Sequence, residues 1–269
     1  MIDLTGKRCV ITGGANGIGE ETAKLFQKLG ADVLIIDIDE RKGRQLVNNT
    51  ESGKIAFKRV DLGNRSDILM ATEEMDSIPE KVDVLINNAA YFNRYGVLDI
   101  SVEEWDKTLE VNLTAPFLLS RWAASNMIGR GKGGKIINVS AVQALLPLES
   151  SFAYASTKGG LISLSKSLAV DLAHYGILVA AVLPGPIFST DMESNLYNED
   201  EIRSIDERAA TLIGRMGRKS EVAKLLAFLS SDDNSFMTGN CIVIDGGRLI
   251  SRKQDPREVI KQGFDGQRK

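Results

Sequence analysis

Histidine is nearly absent from these 269 residues: His174 is the single one, at the end of a long helical pattern. Cysteine occurs only at positions 9 and 241, each inside an apolar, strand-like run. One histidine and two separated cysteines cannot assemble a typical zinc site, so no resident metal is expected. Nor can a Ser-His-Asp triad be built around a lone helix-end histidine. His174 reads as a helix C-terminal cation or a surface residue, and Cys9 and Cys241 read as buried, reduced thiols. No apolar run approaches the ~18–20 residues of a membrane span. The N-terminus lacks the basic-then-apolar pattern of a secretory signal, so a cytoplasmic protein is expected. Neither sign of charge dominates, with 33 Lys and Arg against 36 Asp and Glu for a net −3. That balance disfavours nucleic acid or an anionic membrane as a general partner. Pro- or Ser-rich linkers and internal repeats are missing, which predicts one domain over residues 1–248. Whatever chemistry occurs must use Tyr, Lys, Ser, Asn, carboxylates or a cofactor.

What is present begins at residue 8. Arg8–Thr12 is a short apolar run that breaks into Gly13-Gly14-Ala15-Asn16-Gly17-Ile18-Gly19. A helical pattern follows and closes at Gly30, and Val33–Ile36 is a buried strand ending in Asp37. Glycines let a backbone turn tightly and approach a pyrophosphate, while the free N–H groups and dipole of the new helix attract its charge. Asp37 lies 18 residues past Gly19, about where a carboxylate accepts hydrogen bonds from an adenosine ribose. Strand, glycine turn, helix, strand and terminal acid together predict a dinucleotide site.

The rhythm repeats. Strands are expected at 54–60, ending in Asp61, and at 82–86, stopping at Asn87-Asn88-Ala89-Ala90; later ones at 133–139, 177–183 and 241–244. Helices are expected at 64–75, 102–127 and 151–174, the second with Ser101 as N-cap and Glu104 completing a capping box. Alternation of short apolar strands with helices predicts a parallel, doubly wound α/β sheet of seven strands in three layers. Ligands of such sheets bind where the loops after the strand C-termini meet. Gly13–Gly19, Asp37, Asp61-Leu62, Asn87–Ala90, Ser140-Ala141 and Pro184–Thr190 occupy those loops; turn chemistry or helix capping is the competing reading for Asp61, Asn88 and Ser189. The polar insert 189–219 is expected to form a lid or a pair of surface helices.

Tyr154 and Lys158 stand four residues apart, on one face of a helix. A nearby cation favours phenolate, which would make Tyr154 a general acid/base near neutral pH. With these residues the chain resembles the short-chain dehydrogenase/reductase family over residues 1 to about 248. The matching pieces are Thr12–Gly19, Asp61-Leu62, Asn87-Asn88-Ala89, Asn112, Tyr154-x-x-x-Lys158, Pro184-Gly185 and Asp245-Gly246-Gly247. The resemblance implies a Rossmann sheet and hydride transfer between a nicotinamide and an alcohol/carbonyl pair. It implies that Tyr154 exchanges the substrate oxygen's proton, that Lys158 binds the nicotinamide ribose, and that Asn112 holds a water linking Lys158 to solvent. A helix-kink role is the structural alternative for Asn112. By the same resemblance Gly13, Asn16, Gly17, Ile18, Gly19, Asn88, Ala89, Pro184, Gly185, Ile187 and Ser189 or Thr190 would surround the cofactor, and the chain would be a homotetramer. A carboxylate at Asp37 welcomes two ribose hydroxyls and repels a 2′-phosphate, so NAD is expected over NADP.

One departure stands out. The family's serine that hydrogen-bonds the substrate oxygen lies 13 residues before the tyrosine, which here is Ala141; Ser140 is one residue further back. Neighbouring strand side chains point to opposite faces. Either the strand end bulges and presents Ser140, or Gln143 or a substrate hydroxyl compensates, or the chain is slow or altered in function. Ala90 stands where the family often has glycine. Residues 91–95, 143–146, Glu149 and the segment after Phe188 are expected to form the substrate pocket, which suits a small polar secondary alcohol, polyol or sugar. Arg94 would meet an anionic group or remain a solvated loop residue. Residues 248–269 carry seven Lys and Arg against three Asp and Glu, a balance of +4. They form a charged extension, either disordered or packed over a neighbouring subunit's active site. Two other classes compete. A methyltransferase would leave Tyr154, Lys158 and Asn112 without roles, and a non-catalytic NAD sensor or scaffold would accommodate Ala141.

Overall fold

The strands form where apolar runs can be buried on both faces, and they pair in parallel. A computed structural model describes residues 2–50, 54–77, 82–188, 200 and 210–253. In chain order the strands are β1 (Arg8–Thr12), β2 (Asp32–Asp37), β3 (Ile55–Arg59), β4 (Val84–Asn87), β5 (Gly134–Val139), β6 (Ile177–Pro184) and β7 (Asn240–Ile244). The helices are α1 (Gly17–Lys28), α2 (Glu40–Asn48), α3 (Arg65–Asp76), α4 (Val102–Leu109), α5 (Ala115–Arg130), α6 (Phe152–Leu172) and α7 (Lys219–Ser230). The seven strands lie in the order β3-β2-β1-β4-β5-β6-β7, every pair parallel. This is the expected doubly wound, Rossmann-like sheet. Strand order reverses between β1 and β4, which opens a crevice at the carboxyl edge.

Alternate residues of each strand feed two separate cores. Val10, Leu34, Leu85 and Ile136 pack with Ile68, Leu119, Trp122 and Met127 of α3 and α5. Cys9, Ile11, Ile35 and Ile86 pack on the opposite face with Phe26 of α1 and Val222 and Leu226 of α7. Among the described residues no helix is long and apolar enough to cross a membrane.

Four expectations need correction. The helix expected over 102–127 is two helices, α4 and α5, joined by a π turn at Glu110–Thr114. Proline at 116 has no N–H for the carbonyl of Asn112 four residues back, and its ring crowds that carbonyl. The ladder widens there, with Ala115 N–H reaching Glu110 O. The capping box is half formed: Ser101 Oγ accepts from Glu104 N at 3.2 Å, but the Glu104 carboxylate accepts from the Tyr91 hydroxyl at 2.8 Å instead. Cys9 is buried, whereas Cys241 is exposed because β7 is an edge strand paired only with β6. Helices α2 and α7 were not anticipated at all. α7 lies along α1, and the Ile187–Gly217 bridge ties its approach to the segment after β6. His174 is exposed beyond the end of α6, against Tyr175.

Candidate active site

The first loop is built by close approach. Gly13 has φ +62°, and a Cβ there would stand 2.8 Å from Ala89 Cα; a Cβ on Gly19 would stand 2.0 Å from the Gly13 carbonyl oxygen. Neither position tolerates a side chain. Asn16 caps α1, accepting from Gly17 N at 2.7 Å. The Asp37 carboxylate, at the end of β2, accepts from Ala15 N and Asp39 N, both at 3.0 Å. The acid and the cradle are therefore one hydrogen-bonded unit.

Asn88 and Ala89, besides lining the cleft, fasten this loop. The Asn88 amide donates to the carbonyls of Thr12 and Gly13 at 3.0 and 3.1 Å, and the Thr12 hydroxyl accepts from Asn88 N and Ala89 N, each at 3.0 Å. Asp61 accepts from Gly63 N at 2.8 Å, the turn chemistry weighed for it. Thr12 was absent from the expected site residues, although its place at the end of β1 beside the glycines was a usable signal.

Asn112 sits in the π turn, fully buried. Its Oδ1 accepts from Tyr91 N at 2.7 Å, and its Nδ2 donates to Tyr91 O at 2.9 Å and to Thr157 Oγ1 at 3.1 Å. One side chain thus clasps the loop after β4 to α6. Both weighed roles leave a trace: the side chain is a structural clasp at a kink, and Pro116 leaves the Asn112 carbonyl without its usual helical donor.

α6 brings Tyr154 and Lys158 to the cleft. Lys158 is buried, its Nζ 5.5 Å from the Tyr154 ring centre and donating to Val139 O at 2.8 Å. Phe92 packs edge-on against the Tyr154 ring with centroids 5.0 Å apart, and Arg94 lies over Phe92 with its buried Nε unpaired. Burial pushes the Tyr154 phenol above its ordinary range and lowers Lys158 to about 8. The expected depression of the phenol by the ammonium is not what this geometry produces; desolvation outweighs the charge.

Ser140 is not presented by a bulge. Its hydroxyl donates to Lys158 O at 2.8 Å, its N–H continues the ladder to Val182 O at 2.7 Å, and Ala141 follows in extended conformation at φ −162°. In this structure the hydroxyl proton that a substrate-oxygen donor needs is directed to α6 rather than into the cleft. Gln143, in the turn Val142–Ala144, reaches the cleft wall.

These parts surround one cleft of about 740 Å³ at the carboxyl edge. Gly13, Asn16, Gly17, Ile18, Asp37, Asp61, Leu62, Asn88, Ala89, Ser140, Tyr154, Lys158, Pro184, Gly185 and Ile187 all line it. Gly19 and Asn112 do not line it; they brace the walls from behind. Ser189, Thr190 and most of the expected lid fall outside the described residues, while Ala210, Thr211 and Met216 within that expected lid are buried. Lys107 and Val111 also line the cleft and were missed, and Lys219, at the end of the expected lid, lines it too. Lys107 precedes the helix break and Val111 lies within it, and Lys219 opens the unanticipated α7.

The cradle fits a dinucleotide: Gly13 and Gly17, both at positive φ, line it together with a capped helix N-terminus and a carboxylate at the second strand. The family model described as enoyl-(acyl carrier protein) reductase matches residues 13–248. An uncharacterized oxidoreductase of Thermotoga maritima is 35% identical over 251 residues, covering 92% of this chain and 97% of the relative. The 3-oxoacyl-[acyl-carrier-protein] reductase FabG of Rickettsia felis is 35% identical over 250 residues, covering 93% and 100%. Among solved structures, a candidate gluconate dehydrogenase from Agrobacterium tumefaciens superimposes with TM-score 0.86 at 30% identity, over 92% of this chain and 98% of that one. On its glycine cradle, its Tyr154-Lys158 pair in the cleft and these matches, the chain belongs to the short-chain dehydrogenase/reductase family of oxidoreductases.

Proposed function

We propose that the protein interconverts a secondary alcohol and its carbonyl using NAD, with Tyr154 exchanging the proton of the substrate oxygen. The observation that carries this is the pairing of Tyr154 and Lys158 in the same cleft as the Asp37-bounded cradle. Bound nicotinamide supplies or accepts the hydride. The chain's own groups do the rest. Tyr154, uncharged at neutral pH, donates its proton to a carbonyl being reduced, and in the reverse direction it must first be ionised. Lys158, held by Val139 O, would hold the ribose of a nicotinamide, and Asn112 fixes the loop after β4 at the cleft wall. NAD is favoured because the Asp37 carboxylate would repel a 2′-phosphate at the position where it would accept from ribose hydroxyls.

A homotetramer is part of the same reading, and exposed Phe117 on α5 and Val170 on α6 support it. For substrate class, the polar lining at Gln143 and the likeness to a candidate gluconate dehydrogenase favour a polyhydroxy compound. The FabG likeness makes a 3-oxoacyl ester the alternative. Ala141 and the committed Ser140 hydroxyl favour one further reading, an NAD sensor without turnover. A spectrophotometric panel of D-gluconate, D-sorbitol and 2-propanol with NAD⁺, and ethyl acetoacetate with NADH, tests all three. Turnover of a hydroxylated member supports the proposal. Turnover of ethyl acetoacetate alone moves the substrate class, and tight NADH binding with a silent panel supports the sensor.

A further inference from the structure

In the cleft that Tyr154 lines, where a hydroxyl donor is needed, this chain carries Ala141. The neighbouring hydroxyl of Ser140 is spent on Lys158 O. Three other polar side chains of the cleft are also engaged: the Tyr91 hydroxyl donates to Glu104, the Asn88 amide to Thr12 and Gly13, and the Lys158 ammonium to Val139. Gln143 differs. It lies two residues past Ala141 on the cleft wall, half-buried, and its carboxamide makes no hydrogen bond among the described residues.

We propose that Gln143 supplies the hydrogen bond to the reacting oxygen that Ala141 cannot, and that its amide carbonyl selects substrates bearing a second hydroxyl on the adjacent carbon. The chemistry follows from the carboxamide itself. Serine offers one rotating hydroxyl, whereas Gln143 offers N–H donors and a carbonyl acceptor side by side in a plane. A carbonyl or alkoxide oxygen takes the N–H, and a neighbouring hydroxyl donates to the amide oxygen. An α-hydroxy ketone or a vicinal diol satisfies both ends. A simple ketone leaves the amide carbonyl unpaired, and sites built to hydrogen-bond a hydroxyl reject analogues that lack it. This inference rests on the oxidoreductase reading and narrows its substrate.

The test is NADH-linked reduction of acetoin and of butanone, which shares its carbon chain but lacks the hydroxyl. Wild type, Gln143→Leu, and Gln143→Leu combined with Ala141→Ser are compared, with NADH affinity followed by fluorescence titration. Wild type should prefer acetoin by about ten- to a hundred-fold in kcat/KM. Gln143→Leu should lose about a hundred-fold in kcat on acetoin, lose the preference, and bind NADH as before. Restoring serine at 141 in that background should recover turnover of both ketones without recovering the preference. Equal turnover of the two ketones by wild type, or a Gln143→Leu variant within two-fold of wild type, overturns the inference. Turnover of other panel compounds with acetoin inert also overturns it and leaves the oxidoreductase reading standing. Silence on every compound removes both.

Discussion

The hydroxyl of Ser140 donates to the main-chain carbonyl of Lys158 at 2.8 Å, while the ammonium of the same lysine donates to Val139 at 2.8 Å. The end of β5 thus grips the cleft's lysine at both its backbone and its tip. This arrangement explains why a serine beside the site is structural and where a positively charged group finds a partner in an otherwise apolar wall.

Ser140→Ala should therefore behave as a stability variant. Losing one buried hydrogen bond costs about 1 kcal/mol, or roughly 2–4 °C in melting temperature for a chain of this size. Activity under saturating conditions should fall by less than about ten-fold. A drop of 10²–10³ with unchanged melting would instead identify Ser140 as the substrate-oxygen donor. Differential scanning fluorimetry and steady-state rates on one preparation decide it.

Asn112→Leu removes both partners of the Tyr91 backbone at a fully buried position. Each unsatisfied buried group costs about 1–3 kcal/mol, so destabilisation of at least about 2 kcal/mol is expected in urea unfolding. A variant within 0.5 kcal/mol, by the rough span of neutral surface substitutions, would mean that the clasp is dispensable.

Stability should respond to pH through Lys158. Its folded pKa, about 8, lies below the ordinary 10.5. Below pH 8 the native state bears the full cost of a buried charge. Between about 8 and 10.5 the unfolded chain binds the proton and the native chain does not, so stability rises with pH in that window. Tyr154, raised above 10, acts in the opposite sense and costs stability only above pH 10. Relative to Lys158→Met, wild type should gain stability from pH 8 to 10.5; a pH-independent difference would place the lysine in a wetter setting.

Asp37→Asn keeps the size of the side chain and removes its charge. NADH binding should weaken about ten-fold, or ~1.4 kcal/mol, and NADPH binding should strengthen because the repulsion of a 2′-phosphate is gone. Fluorescence titration with both cofactors reads the ratio. An unchanged ratio would show that Asp37 serves only the Ala15 turn.

Much of this molecule is legible in its residues because chemistry and fold share the same punctuation. The run Gly13–Gly19 marks a turn that only glycine can make, and unbroken apolar runs such as Leu34–Ile36 mark strands buried on both faces. What stayed hidden arises from long-range partners. The π turn depends on Pro116 meeting a carbonyl one turn earlier inside an otherwise helical pattern. Glu104 left its capping box because Tyr91, thirteen residues away, offers a better-placed donor. The direction of the Tyr154 shift depends on how the fold desolvates the phenol, which spacing alone does not encode. α7 went unread because its apolar stripe is recognisable only once α1 is there to pack against.

The central claim is that Tyr154 is the proton-exchanging group of an NAD-linked oxidoreductase. Tyr154→Phe keeps the ring that packs against Phe92 and removes only the hydroxyl, so it tests that claim most directly. The account predicts NADH affinity within two-fold of wild type and turnover of the best panel substrate reduced by about 10²–10⁴. A phenylalanine variant that turns over as fast as wild type would contradict it.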